Sequence, residues 1–303
     1  MNMNRQDGIV IEVPKEFNFQ QNMNYMSRSS NECMFEIRDN TIIKAISVSD
    51  KDYLIEVSEA ADGNLLLRFL GDAQIENENA YDDVIRYVRD WFDLDRDLKP
   101  FYDMAQKDPL LQTAVVEFYG LRNIGIPDLF EAVAWGIIGQ QINLTYAYTL
   151  KKRFVETYGR SMEWDGHRYW IFPEAKDIAK LTVEELSSIK TTTKKCEYLI
   201  KVAELLEKGE LSKPLIKSSG SIKEAEKRLT SIRGIGPWTA NYVLMRCLRF
   251  PDAFPIDDVG LHNAIKHLTG SERKPTKEEI LKLAAPWENW EAYATFYLWR
   301  YLY

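Results

Sequence analysis

The sequence predicts an α+β fold, an N-terminal antiparallel β-sheet domain followed by an all-α body. Three observations carry that reading. Residues up to about 75 fall into short runs rich in β-branched and aromatic side chains. From about residue 80 onward, apolar positions recur at helical spacing. A helix, a glycine turn and a second helix then follow one another around Gly234 and Gly236.

The strands are expected at Ile9 to Val13, Met34 to Ile37, Thr41 to Val48, Tyr53 to Ser58 and Leu65 to Leu70. Asp62-Gly63, between the last two, is a hairpin signal because both residues tolerate positive φ. No catalytic constellation stands out among these strands, so the sheet reads as a scaffold. In the body, Phe130, Val133, Ala134, Ile137 and Ile138 follow helical spacing. Asn143 is placed to cap a second helix that runs to Tyr158 and stops before Gly159. Three capping boxes mark further helix starts: Thr182 with Glu185, Ser221 with Glu224, and Thr276 with Glu279.

The bulk properties narrow the class. A chain of 303 residues can hold two or three domains, and 45% hydrophobic with 28% charged residues is an ordinary soluble composition. Cys33, Cys196 and Cys247 lie far apart, so neither a disulfide framework nor a clustered zinc site is expected. The start MNMNRQDG lacks an apolar signal core, and no apolar run is long enough to span a bilayer. A cytoplasmic location without a membrane partner is therefore expected, nucleoid-associated in a prokaryote. The net charge of −7 speaks against nucleic acid, but only as a property of the whole surface. A small DNA contact can rest on backbone N–H groups and helix N-termini.

The informative stretch is LTSIRGIGPWTANYVLMRCLRFPDAFPIDDVGLHNAI, residues 229–265. A helix beginning near Ser221 must stop at Gly234. Gly234-Ile235-Gly236 permits a tight hairpin, and Pro237 suits the first position of a new helix. Such a hairpin offers N–H groups to a phosphate oxygen, with Ile235 packed inward to pin the turn. The glycines alone fit a plain helix–turn–helix in a core better than a phosphate site.

Taken together, I-R-G-I-G-P-W-T-A-N-Y and the later paired aspartates of F-P-I-D-D resemble the helix–hairpin–helix DNA glycosylase superfamily, in its 3-methyladenine DNA glycosylase II (AlkA) branch. L-F-E-A-V-A-W-G-I-I-G-Q-Q-I, residues 129–142, is similar to the helix that ends in a Gln-containing loop in that family. W-F-D-L-D-R-D-L, residues 91–98, is similar to the segment joining the sheet domain to the body. The match is weak before residue 75. The resemblance implies a helix–hairpin–helix glycosylase body of two subdomains. The expected division is 1–90 for an N-terminal mixed α/β domain, 91–120 plus 250–303 for one helical subdomain, and 121–249 for the other. The helix–hairpin–helix itself is expected over 221–250.

By position, Asp258 matches the catalytic aspartate of the family, whose carboxylate stabilises an oxocarbenium-like sugar and can orient or deprotonate water. Spacing alone leaves Asp257 and Asp258 readable as turn and N-cap residues. Trp238 stands where bifunctional relatives carry a nucleophilic lysine, and an indole cannot form a Schiff base. Base removal without lyase activity follows. Trp238, Tyr242 and Trp299 match base-pocket aromatics, although aromatic residues at helical spacing also read as core. As a pocket they favour a cationic, alkylated purine. Gln140 and Gln141 match the wedge loop that fills the gap left by a flipped base, with Gln141 where the AlkA branch has leucine. Without the resemblance they read as a helix terminus.

The resemblance also implies Na+ or K+ at the hairpin, held by the carbonyls of Thr230, Ile232 and Ile235, with no cofactor required. An iron–sulfur cluster of the kind some relatives carry is excluded, because no cysteine follows Cys247. The expected partner is damaged double-stranded DNA bound by a monomer, with Gly234, Ile235, Gly236, Gln140 and Gln141 touching it. Two rival functions stay open: an oxidised-purine (8-oxoguanine-type) glycosylase, and a non-catalytic helix–hairpin–helix DNA-binding protein.

Overall fold

The chain opens with β1 (Ile9–Ile11), α1 (Phe19–Met26), β2 (Glu36–Arg38), β3 (Thr41–Val48), β4 (Lys51–Glu59) and β5 (Leu65–Leu70). The structure is a computed structural model that describes residues 8–71 and 78–302. The five strands form an antiparallel sheet in the order β1-β5-β4-β3-β2. Two-residue loops drive the pairing. Asp39-Asn40 and Ser49-Asp50 have positive φ at both residues, the twist that hairpins between right-twisted strands require. Asp62-Gly63 lies in the β4–β5 connection as expected, with Gly63 at φ 82°.

Helix α1, between β1 and β2, has no counterpart among the elements expected before residue 80. Asn18 caps α1 by accepting from Gln21 N at 3.0 Å, and Phe19, Met23 and Met26 are buried along its inner face. The helix has only eight residues, so its periodicity is faint.

Helices α2 (Glu78–Trp91), α3 (Lys99–Ala105) and α4 (Gln112–Glu117) lead into α5 (Leu129–Ile138) and α6 (Leu144–Tyr158). Asn143 caps α6 through its side chain, which accepts from Tyr146 N at 2.8 Å. The body is helical with one exception to the expected all-α pattern, a hairpin of β6 (Arg160–Trp164) and β7 (His167–Ile171). Its turn is Asp165-Gly166, φ 51° and 74°, the same dipeptide signal as Asp62-Gly63. The hairpin covers the outer face of the sheet: Tyr169 and Ile171 pack with Ile43, Ala45 and Leu54. β3 is thus buried on both faces, with Ile42 and Ile46 turned to the main core.

The remaining helices are α7 (Ala175–Ile178), α8 (Val183–Leu186), α9 (Thr193–Glu207), α10 (Lys213–Lys217) and α11 (Ile222–Thr230). After them come α12 (Pro237–Arg246), α13 (Val259–Thr269), α14 (Lys277–Leu283) and α15 (Glu291–Trp299). The capping boxes at Thr182 and Thr276 form with both bonds. Ser221 caps α11 by accepting from Glu224 N.

Buried charges weld the sheet domain to the body. Lys151 Nζ on α6 lies 3.2 Å from Glu32 before β2 and 3.2 Å from Glu131 on α5. Arg122, fully buried, donates to the carbonyls of Asp93 and Arg96. Asp93 in turn accepts from Tyr293 Oη on α15 at 2.7 Å. Burial pushes the Asp93 carboxyl up, but the guanidiniums of Arg249 and Arg96 prevail and hold it below the usual carboxylate range. The segment 91–98 therefore anchors the helix that ends in Trp299.

Candidate active site

The glycine hairpin forms as the local rules require. α11 ends at Thr230, earlier than Gly234, and Ile235 N donates to Ile232 O at 3.0 Å across the turn. Ile235 is buried. Gly234 has φ 100°, and a Cβ there would lie 2.3 Å from Tyr198 Cγ on α9, so only glycine fits. Gly236 is different: its φ is −88° and nothing stands within 4 Å of its Cβ position. It caps α12, with Pro237 in the first turn. The hairpin thus packs on Tyr198 through Gly234 and opens outward at Gly236.

Asp258 is the N-cap of α13, and its Oδ1 accepts from Leu261 N at 2.7 Å. The same Oδ1 accepts from Trp299 Nε1 at 2.8 Å, while Oδ2 accepts from Trp238 Nε1 at 2.8 Å. Three N–H donors from three helices thus converge on one half-buried carboxylate, an acceptor-only group when ionised. The cap reading and the catalytic reading are compatible, because capping uses one lobe of Oδ1 and fixes the side chain. Asp257 is set apart. It is exposed and pairs with Lys277 Nζ at 2.6 Å on α14.

Sequence reasoning missed Gly260. A Cβ at this helical position would lie 2.8 Å from Asp258 Oδ1 and 3.4 Å from Trp299 Cδ1. The missing side chain leaves room for the carboxylate and its indole donor. Gly260→Ala is expected to lower turnover by about tenfold while circular dichroism stays native, because the crowded oxygen must shift.

The three predicted aromatics lie together. Trp238 stacks on Tyr242 with centroids 5.4 Å apart at 25°, and Tyr242 faces Trp299 at 6.3 Å and 32°. Tyr242 and Trp299 are buried, and of the three rings it is Trp238 that lines the groove in front of Asp258. Tyr242 Oη accepts from Arg246 Nη1 at 3.1 Å, and Arg246 also donates to Tyr25 Oη at 3.0 Å. Burial pushes the Tyr242 phenol up, with Arg246 opposing. Tyr25 belongs to α1 and packs on Phe296 at 4.4 Å. The N-terminal domain therefore supplies a ring to this cluster, which its reading as a scaffold did not foresee.

In front of Asp258 lies a groove of about 920 Å³. Its walls include Gln140, Gln141, Tyr198, Gly236, Trp238 and Asp258. Gln141 is exposed in the left-handed region at φ 56°. Gln140 turns the other way: its Nε2 donates to Gly234 O at 2.9 Å and to Thr239 Oγ1 at 3.2 Å. The two glutamines thus differ, one clipped to the hairpin and one presented to the groove. Ile232 O accepts from Ile235 N across the turn and keeps a second lone pair free. Among the described residues no group of three or more His, Cys, Asp or Glu could hold a metal ion.

A sheet domain, a glycine hairpin and a groove ending on a buried-edge aspartate define a base-excision architecture, and comparison with known proteins agrees. Residues 134–289 match the family described as HhH-GPD superfamily base excision DNA repair protein, and residues 10–133 match the 8-oxoguanine DNA glycosylase N-terminal domain. The chain belongs to the HhH-GPD superfamily, and it is a DNA glycosylase of base excision repair. It is 53% identical to the DNA-3-methyladenine glycosylase of Bacillus subtilis (strain 168), over 98% of each chain. Its fold is shared with the 3-methyladenine DNA-glycosylase from Archaeoglobus fulgidus, at a TM-score of 0.83 and 24% identity over 97% of each chain. It is shared too with the 8-oxoguanine glycosylase/lyase of Clostridium acetobutylicum, solved with double-stranded DNA, at a TM-score of 0.74 and 21% identity, covering 97% and 98% of the two chains. The expected membership therefore holds. The similarity also extends through the N-terminal domain, where motif reading found little. No helix among the described residues is long and apolar enough to cross a membrane.

Proposed function

We propose that this protein is a monofunctional glycosylase that flips alkylated purines, of the 3-methyladenine and 7-methylguanine type, out of damaged double-stranded DNA and hydrolyses their N-glycosidic bond. The observation that carries the proposal is the Asp258 carboxylate held by the indole N–H groups of Trp238 and Trp299 beside a cluster of aromatic rings. When the glycosidic bond breaks, its electron pair leaves with the purine and positive charge remains on the sugar. A fixed carboxylate stabilises that charge without reorganising. Water then adds to the sugar carbon and loses a proton, which Asp258 is placed to accept. An alkylated purine is already cationic and leaves as a neutral base, so it needs less help than an undamaged one. The faces of Tyr242, Trp299 and Trp238 favour that cation. The 53% identical relative from Bacillus subtilis, named as a DNA-3-methyladenine glycosylase, supports the same substrate class.

Other residues serve binding. The N–H groups at Gly234, Ile235 and Gly236 take a phosphate, Gln140 and Gln141 line the path of the duplex, and Gln141 fills the gap left by the flipped base. A monovalent cation at the carbonyls of Thr230, Ile232 and Ile235 would stiffen the hairpin that presents those N–H groups. The enzyme acts as a monomer without a required cofactor.

The match of residues 10–133 to the 8-oxoguanine glycosylase N-terminal domain favours a second reading, action on oxidised purines. In its lyase form that reading needs an amine where Trp238 stands. An end-labelled methylated duplex decides. Strand breaks are expected only after alkali treatment of the abasic product, with no borohydride-trapped covalent complex. Breaks before alkali, together with a trapped complex, would overturn the monofunctional assignment.

A further inference from the structure

The loop that carries Gln141 is held by a group that the sequence did not single out. Lys195, in the first turn of α9, is buried, 8% exposed. Its Nζ donates to Ile138 O and to Gln140 O, each at 2.8 Å. No carboxylate among the described residues lies within ion-pair distance of it. Its partners are carbonyls at the C-terminal end of α5, where the negative pole of the helix favours an ammonium. Burial lowers this ammonium from its ordinary value.

The same turn of α9 touches the other side of the groove. Tyr198 is the ring against which Gly234 packs, and the side chain of Gln140 bridges to Gly234 O and Thr239 Oγ1. One helical turn therefore sets the position of the Gln loop through Lys195 and that of the hairpin through Tyr198.

We propose that Lys195 is a positioning residue for base extrusion: by fixing the backbone of Ile138 and Gln140 it holds Gln141 at the height over the groove where it replaces a flipped base. This rests on the reading of Gln141 as the gap-filling residue. The role is specific, because a base that has no partner and little stacking to lose needs no wedge.

The test compares one lesion in two settings, a fully paired duplex and the same duplex with an unpaired bubble around the lesion. Single-turnover base release is measured for the wild type, Lys195→Met, Lys195→Arg, Gln141→Ala and the Lys195→Met/Gln141→Ala pair. Lys195→Met keeps the apolar stem and takes the donor from one buried and one half-buried carbonyl, so paired-duplex release is expected to fall by about tenfold, with bubble release within about twofold of wild type. Lys195→Arg restores part of the loss. In the Gln141→Ala background the lysine change is expected to add less than about twofold, as for residues acting through one element. Equal losses on duplex and bubble, or multiplicative effects of Lys195 and Gln141, would overturn the proposal. Should Lys195→Met fail to fold, Lys195→Gln, which keeps one donor, must give a smaller loss confined to the paired duplex. Wild-type protein that releases nothing from either substrate would instead refute the glycosylase reading, so the two failures are distinct.

Discussion

Asp258→Asn is expected to lower base release by about 10²–10³-fold, the scale set by removing one preorganised electrostatic contact to a charged transition state. The amide loses the negative charge that, in the proposed mechanism, stabilises the sugar cation. It also breaks the donor pattern, because the carboxylate accepts from Leu261 N, Trp299 Nε1 and Trp238 Nε1. An asparagine can place its single oxygen at the Oδ1 position and keep the first two bonds. Its NH2 group then meets Trp238 Nε1, donor against donor. A second expected result follows: the variant loses about 1–3 kcal/mol of unfolding free energy from the unpaired indole. Measuring denaturation beside turnover separates the two effects. A variant that loses stability alone and keeps its rate would show Asp258 to be only a helix cap.

The second large effect is at the hairpin. Gly234→Ala is expected to cost about 2–5 kcal/mol of stability, combining a residue at positive φ with overpacking against a ring. The added Cβ would stand 2.3 Å from Tyr198 Cγ and 2.7 Å from Tyr198 Cβ, and the last cannot swing away. Gly236→Ala is the control. With φ −88° and open space around its Cβ position, it should stay within about 0.5 kcal/mol of wild type. Any loss of duplex affinity in Gly236→Ala then reports on DNA approach and not on folding. Denaturation midpoints of both variants check this, and equal costs at the two glycines would contradict the steric account.

The parts legible in the sequence are those fixed by neighbours along the chain. Asn143 as a cap, Pro237 in the first turn of α12 and the turn at Gly234 all follow from residues within a few positions. Asp165-Gly166 is equally local and carries the β6–β7 hairpin, a turn signal as readable as Asp62-Gly63. The site itself is assembled over distance. The indoles that hold Asp258 stand 20 and 41 residues from it in sequence. Tyr25 meets Arg246 across 221 residues, and Lys195 meets Gln140 across 55. No periodicity encodes such contacts. Gly260 is a milder case, because a glycine inside a helix is a visible anomaly, but what it makes room for appears only once Asp258 and Trp299 are placed.

What Asp258 does to an alkylated purine is tested most directly by one measurement. Methylated duplex DNA is incubated with the wild type and with Asp258→Asn, and the released bases are separated by chromatography. Free 3-methyladenine and 7-methylguanine are expected from the wild type, with strands intact until alkali, and about 10²–10³-fold less of each from the variant. Equal release by both proteins, or no methylated base from the wild type, would contradict that expectation.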